Sequence, residues 1–384
     1  MKGFNLPCYQ TDTSAGAPAP APSSPSTPAP DDSVQIVLAD ATTPFLMLCK
    51  TIDPWQSVGV RDSLLSIHAD GTPASDSIGL AEVGVRSRLL SDRNGNVYQL
   101  SHERGLLGIT DQTPIIPPSA LAFAKEPRYQ AGATVCIGYL PGSPHAGTLP
   151  IHDVAFDTEG YAYVAPVVVV PTHRDGAHYN AVAKLRVTPG QTSPYQIVQI
   201  FDGEGVSDNG LYDIEVSAQG ALLLLNTRYA QGKNDLWIFD PQRGATTESI
   251  RVDRLSGLYA SRRSRKLYAY SSVNAPDAAH TTLFVLDTDD LDRPKGTRIM
   301  GMGHITDITE DPDTGMLWVI GVAMPTVPTQ DAIHSGAVLN QAPFIKPCIA
   351  NVDPDKRPPV TAIDLSELFD DWTIPTSIIW KGKL

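Results

Sequence analysis

A hairpin-sized unit recurs along this chain, and its recurrence restricts the fold more than any other feature. HDVAFDTEGYAYVAP begins at His152, YDIEVSAQGALLLLNT at Tyr212, SGLYASRRSRKLYAYSS at Ser256 and TDITEDPDTGMLWVIGV at Thr306, with a further version, SRLLSDRNGNVYQLS, from Ser87. Each is a short alternating strand, a polar turn usually carrying glycine, and a second, strongly apolar strand, which is a hairpin signature. Aligned, the hairpins place Arg88, Asp153, Asp213, Gly257 and Asp307 in one column at unequal intervals. Two more strands generally follow, such as DLWIFDP and TESIRV after the third unit and TTLFVLD and TRIMG after the fourth. Four strands in roughly 40 to 50 residues is the spacing of a propeller blade, with surplus residues assigned to loops. Helical periodicity is absent, while valine, isoleucine, tyrosine and tryptophan suit packed sheet faces.

The chain ends complete this reading. PTSIIWKGKL at the C-terminus matches only the first strand of a unit, with Ser377 in the column, whereas SVQIVLAD, PFLMLCK and SLLSIHAD near the N-terminus are three strands without a first partner. Joining them makes one blade and hides two open strand edges. The expectation is an all-β, six-bladed propeller closed by its own ends, with seven blades as the alternative if residues 100–150 or 320–365 conceal another unit. Residues 34–384 form the propeller domain. Residues 1–33 form an N-terminal segment whose tract GAPAPAPSSPSTPAPD, from Gly16 to Asp31, is an extended tether suited to surface or complex association.

Charge narrows the partners. With 29 Lys and Arg against 42 Asp and Glu, the net charge is −13, which argues against nucleic acid because phosphate binding needs cations to replace counterions. The basic string ASRRSRKLY at 260–268 reads as a solvated turn. No apolar run is long enough for a transmembrane helix, and no apolar segment follows Lys2 to make a complete signal peptide as the sequence stands. Cys8, Cys49, Cys136 and Cys348 contain no CxxC pair; they are inert buried thiols or two disulfides, with all three pairings open.

On the units HDVAFDTEGYAYV and TDITEDPDTGMLWV the chain resembles the broad NHL, lactonase-like and surface-receptor class of six-bladed propellers. The resemblance is one of fold and spans residues 34–384. In lactonase-like propellers a central divalent metal orients an ester substrate. The resemblance therefore implies, as one alternative, a metal-dependent hydrolase with Ca²⁺ at the central channel, held by Asp153, Asp213 and Asp307, and with His152 or His304 moving a proton.

The residues also permit a plainer role. First strands line the channel, so the three aspartates converge; an aspartate there can accept backbone amides or pair with Arg88 and hold neighbouring blades in register. DTDDLD at 287–292 lacks the central glycine and final glutamate of an EF-hand loop, while DPDTG at 311–315 and DPDKR at 353–357 are turn formers. No nucleophile elbow, phosphate loop, zinc helix or haem motif occurs. The long excursions PVVVVPTHRDGAHYN, 166–180, and AMPTVPTQDAIHSGAVLNQAPF, 323–344, carry His173, Arg174, His178, Tyr179 and His334, which with Arg88 are the candidate ligand-binding residues. The functional expectation is a noncatalytic binding propeller, secreted, periplasmic or cell-surface, that recognises a protein or glycan through these loops.

Overall fold

The computed structural model describes residues 45–52, 60–68, 72–73, 78–80, 87–92, 94–101, 104–110, 112–118, 120, 151–166, 181–202, 211–228, 233–252, 255, 257–270, 280–288, 290–323, 346–356, 359–369 and 373–380. Twenty-five strands are found there, with one 3₁₀ turn at Ser366–Leu368 as the helical element among them. In chain order, β1 (Phe45–Ile52), β2 (Val60–Ile67) and β3 (Ile78–Leu80) come first. Blade one is β4 (Ser87–Ser91), β5 (Val97–Ser101), β6 (Gly105–Gly108) and β7 (Pro114–Ile116). Blade two is β8 (Ile151–Phe156), β9 (Tyr161–Pro166), β10 (Ala181–Val187) and β11 (Tyr195–Asp202). Blade three is β12 (Leu211–Val216), β13 (Leu222–Arg228), β14 (Lys233–Asp240) and β15 (Ala245–Val252). Blade four is β16 (Gly257–Ala260), β17 (Lys266–Tyr270), β18 (His280–Asp287) and β19 (Asp290–Met300). β20 (His304–Glu310), β21 (Leu317–Ala323) and β22 (Lys346–Val352) belong to blade five, followed by β23 (Val360–Thr361), β24 (Ile363–Asp364) and β25 (Thr373–Trp380).

Six sheets result, so the six-bladed count holds. β24 is the fourth strand of blade five, while β23 crosses to lie parallel against β19 of blade four. The sixth blade runs β25-β1-β2-β3, with Phe45 opposite Trp380 and Leu48 opposite Ser377. The ends therefore close the ring by strand exchange. One strand assignment differs from the sequence reading. The outer place in this blade is taken by Ile78–Leu80, and SVQIVLAD lies outside the described residues. The strand beside the innermost one is covered by blades on both sides, so it needs apolar residues at every position, as Phe45 to Cys49 provide; an outer strand has no such demand, and in this blade it is the three-residue β3.

The same two-sided burial explains LLLL in blade three. Leu222 and Leu224 pack toward blade two, Leu223 and Leu225 toward blade four, and all four are inaccessible to solvent. Each such side chain contributes about 1.5–3 kcal/mol. In blade five Leu317 and Val319 face blade four while Trp318 and Ile320 face blade six, where Phe45 meets the Trp318 and Trp380 rings edge-on at 4.8 and 4.9 Å. Cys49 and Cys348 are buried in these clusters, and burial pushes the Cys348 thiol up to about 12.

Strand alternation gives the ring two unlike faces. On the lower face, where the innermost strands end, short hairpin turns return each chain. Asp92, Asp157, Ser217, Ser261 and Asp311, each four residues after the column position, accept amides of their own turns: Asp92 from Asn94 and Asn96, Asp157 from Glu159 and Tyr161, Asp311 from Asp313 and Thr314. Gly160, Gly220 and Gly315 complete such turns with φ of 85°, 83° and 76°, a region closed to most side chains. From the upper face leave the connections 53–59, 117–150, 167–180, 203–210 and 324–345, which contain the two long excursions.

Candidate functional site at the ring axis

The innermost strands β4, β8, β12, β16, β20 and β25 bring the column residues together as the alignment anticipates. In β8, β12, β20 and β25 the ladder shifts register just before the column, with His152, Tyr212, Thr306 and Thr376 as the additional residues. A bulge of this kind re-aims the next side chain, in this case toward the axis and the neighbouring blade.

Each column aspartate then joins two blades. Asp153 Oδ1 accepts the amide of Val154 in its own strand at 3.0 Å, and Oδ2 accepts that of Ile214 in blade three at 3.0 Å. Asp213 repeats the pattern with Ile214 at 3.1 Å and Leu258 of blade four at 2.7 Å. Asp307 accepts Ile308 at 2.9 Å and Ile378 of blade six at 3.0 Å, together with the Ser377 hydroxyl. Ser377 in turn accepts the amide of Leu89 in blade one at 3.0 Å. At blade four the column holds glycine, because the Tyr270 ring occupies the space: a Cβ on Gly257 would lie 2.1 Å from the ring. The Tyr270 hydroxyl donates to the Thr306 carbonyl of blade five at 3.4 Å, so the circuit continues through a different group.

Arg88 closes the circuit from blade one and fills its centre. Nη1 lies 3.2 Å from Asp153 Oδ1 and 3.3 Å from Asp213 Oδ1; Nη2 lies 2.9 Å from Glu215 Oε1 and 3.9 Å from Asp307 Oδ1. Burial works against the guanidinium charge, but the four carboxylates outweigh it and hold its pKa well above the ordinary value. Burial pushes Glu215 up to about 7 despite the attraction of Arg88, and it likewise raises Asp307 against the pull of Arg88, Ser377 and two amides.

Below this cluster a second set spans the axis. Arg262 Nη2 donates to the Ser91 carbonyl at 2.6 Å, linking blade four to blade one, which stands opposite it in the ring. Glu310 accepts the Ser261 hydroxyl at 2.8 Å and the Arg262 amide at 3.0 Å, joining blades four and five. Tyr259 accepts the Glu310 amide at 3.1 Å. Arg262 stays exposed on its turn, as the sequence expects, while its guanidinium reaches the Ser91 carbonyl.

The aspartates meet the plainer expectation for them. A calcium ion takes six to eight oxygen ligands. At this position it would have to displace a guanidinium already shared by the same carboxylates, while their other oxygens are held by amides and a hydroxyl. The donor set does not suit it. His152 directly precedes Asp153 and His304 opens β20 three residues before Asp307, so the two histidines stand at different levels; both are partly buried. Among the described residues no group of three or more His, Cys, Asp or Glu is arranged to hold a metal ion. His173, Arg174, His178, Tyr179 and His334 lie outside the described residues. Glu215, Glu310, Tyr259 and Arg262 are the axial residues that sequence alignment passes over. Glu215 stands two positions after a column aspartate, on the same strand face, and that spacing is the signal that could have found it.

The chain matches no protein family model and no curated protein. Among solved structures it is similar to a protein of unknown function from Bacteroides caccae, with 10% identity, a TM-score of 0.48, and 88% of this chain and 98% of that chain covered. The Nidogen/Laminin complex aligns at 11% identity and a TM-score of 0.44, over 87% of this chain and 97% of that chain. TolB from Acinetobacter baumannii aligns at 9% and 0.42, over 88% and 68% respectively. The class defined by the six sheets and the closing blade is therefore the six-bladed β-propeller, and identities this low carry nothing further about activity or ligand.

Proposed function

We propose that this protein is a noncatalytic binding propeller, working outside the cytoplasm, that recognises a protein or glycan through the connections of its upper face. The observation that supports this reading is the contrast between the two ends of the axis and its interior. The interior is committed to contacts between Arg88, the column aspartates and the amides of neighbouring blades. The hairpin turns that end the innermost strands on the lower face are short and capped. The three longest connections, 117–150, 167–180 and 324–345, join strand ends on the upper face, where a rigid ring can carry variable loops without disturbing its core. Among the described residues no helix is long and apolar enough to cross a membrane, which is compatible with this location.

The test is a paired screen. The full chain, and a variant in which residues 167–180 and 324–345 are each replaced by a short glycine-serine link, are assayed on glycan and surface-protein arrays and against a panel of lactones and esters with added calcium. Binding by the full chain that the shortened variant loses, without turnover, is the expected result. Turnover abolished by His152→Ala or His304→Ala would overturn the reading in favour of a hydrolase.

A further inference from the structure

The six outer strands differ in how they protect their free edges. β3, β7 and β24 are two or three residues long, and β7 begins with proline. β19 carries Pro294 and the charges of Arg293, Lys295 and Arg298, and its end is covered by β23. β15 carries Glu248 and Arg251. Shortness, proline, charge and cover are the usual devices that keep a sheet edge from pairing with another chain. β11 uses none of them. It is eight residues long, has no charge or proline from Tyr195 to Phe201, and has no partner on its outer side among the described residues. Ile197, Val198 and Ile200 are 38%, 49% and 38% exposed, three of the five large apolar residues exposed among the described ones.

The order of side chains in β11 points to what covers it. Tyr195-Gln196-Ile197-Val198-Gln199-Ile200 reads apolar, glutamine, apolar, then apolar, glutamine, apolar, so its chemistry is the same in both directions. We propose that β11 is an association surface for a second copy of this chain, paired antiparallel about a twofold axis between Ile197 and Val198. That register sets Tyr195 against Ile200, Gln196 against Gln199 and Ile197 against Val198 of the other copy. Aromatic meets β-branched, amide meets amide and β-branched meets β-branched, which are favourable cross-strand pairs. A twofold contact requires self-complementarity of this kind. Charge supports the same occupant. The chain carries a net −13, so two copies repel over most of their surface, and any charged residue near the twofold would meet its own kind; this register opposes no two carboxylates, since Asp202 falls against Ser193. The bulge that leaves Val198 without a counterpart on β10 lies at the centre of the pairing, so the two bulges face each other.

Sedimentation velocity on the full chain, from about 1 to 100 µM in physiological salt, tests this. The wild type is expected to move from monomer to dimer and stop there, because β11 is the one unprotected edge among the described residues. Val198→Lys sets two ammonium groups near the axis and is expected to weaken the dimer about tenfold or more. Gln199→Lys, at an exposed position, is expected to do the same, which guards against a folding defect in the first variant. Glu248→Lys on β15, the matching edge of blade three, is expected to leave the dimer unchanged. A wild-type chain that stays monomeric, forms larger polymers, or dimerises equally well with both β11 lysine variants overturns the proposal.

Discussion

The junction between blades three and four and the junction between blades four and five do the same work with different chemistry. In the first, the Asp213 carboxylate accepts one amide from its own strand and one from the next, at 3.1 and 2.7 Å. In the second, Gly257 has no side chain, and Tyr270, from the second strand of its blade, reaches across to a carbonyl at 3.4 Å. A carboxylate that accepts two amides is a short, charge-assisted link that depends on a nearby cation for its burial. A phenol needs no counter-ion and contributes mostly through the area of its ring. The difference teaches that the ring specifies contact between successive inner strands, and that the residue in the column is one solution to it. It also explains why the aspartates cluster around Arg88 while blade four stands outside that network.

The largest break in this comparison is Arg88→Met. The substitution keeps much of the side-chain volume and removes the guanidinium that the four carboxylates share, leaving much of their charge buried and uncompensated. Loss of one partner from a buried ion pair costs about 3–5 kcal/mol. Chemical denaturation of the variant is expected to show a loss of that size, partly recovered by adding Asp153→Asn, which removes one of the stranded charges. Adding calcium to the wild type is expected to leave its melting temperature unchanged, because the guanidinium already holds the position; a rise of several degrees would show that the carboxylates can host a metal.

Much of this architecture is legible in the sequence, and the parts that are not share a physical cause. Asp153, Asp213 and Asp307 align because they stand at one offset within hairpins whose apolar second strands are buried on both faces; period and burial leave a local trace. Ser377 aligns for the same reason, and with it the closing blade. Arg88 occupies the same column, and its pairing with aspartates is anticipated from residue type. The outer strand Ile78–Leu80 is not anticipated, because a strand that covers nothing needs no pattern, and SVQIVLAD offers a stronger one. The link from Arg262 to Ser91 is invisible for a different reason: it joins opposite blades across the axis, and its arginine sits in a string of cations that looks like any solvated turn. The role of Tyr270 is hidden too, since only a glycine at the column hints that something else fills the space.

Gly257→Ala would sharpen the comparison at the tyrosine junction. The new methyl group would lie 2.1 Å from the ring, so Tyr270 must leave its position and its hydroxyl loses the Thr306 carbonyl. Overpacking of this sort costs about 1–3 kcal/mol. The paired change Gly257→Asp with Tyr270→Val tests whether the two chemistries are exchangeable, since it clears the ring and supplies a carboxylate at the offset used by Asp213. Thermal unfolding is expected to place the double variant above Gly257→Asp alone, and a purely additive loss would show that blade four cannot use the aspartate solution.

A smaller effect, confined to one range of pH, separates the aspartate side of the ring from the tyrosine side. Glu215 has its pKa raised by burial to about 7 in the folded protein, above the ordinary 4.5 of a glutamate in the unfolded chain. Between those values the folded state binds more protons than the unfolded state, so this group makes stability fall as pH rises through that window, and its penalty is complete above it. Asp307 and Glu310, also raised by burial, act in the same direction. The wild type is expected to melt at a higher temperature near pH 5 than near pH 8. Glu215→Gln is expected to flatten part of that slope while keeping an acceptor for Arg88; an unchanged slope would show that Glu215 titrates as an ordinary carboxylate.

Tyr270→Phe probes the smallest piece of the comparison. The ring that excludes a side chain at Gly257 is retained, and only the hydroxyl that donates to Thr306 is removed. A hydrogen bond between neutral groups contributes about 0.5–1.5 kcal/mol, and a donor–acceptor distance of 3.4 Å puts this one at the weak end. The Thr306 carbonyl loses one donor, yet its side-chain hydroxyl still donates to the Pro375 carbonyl at 2.8 Å and ties blade five to blade six. The expected loss is therefore about 0.5 kcal/mol, a shift of a degree or two in melting temperature. If the loss instead matches that of Gly257→Ala, the hydroxyl carries the junction and the phenol acts as a polar link comparable to Asp213; if it is as small as expected, blade four is held by the packing of the ring.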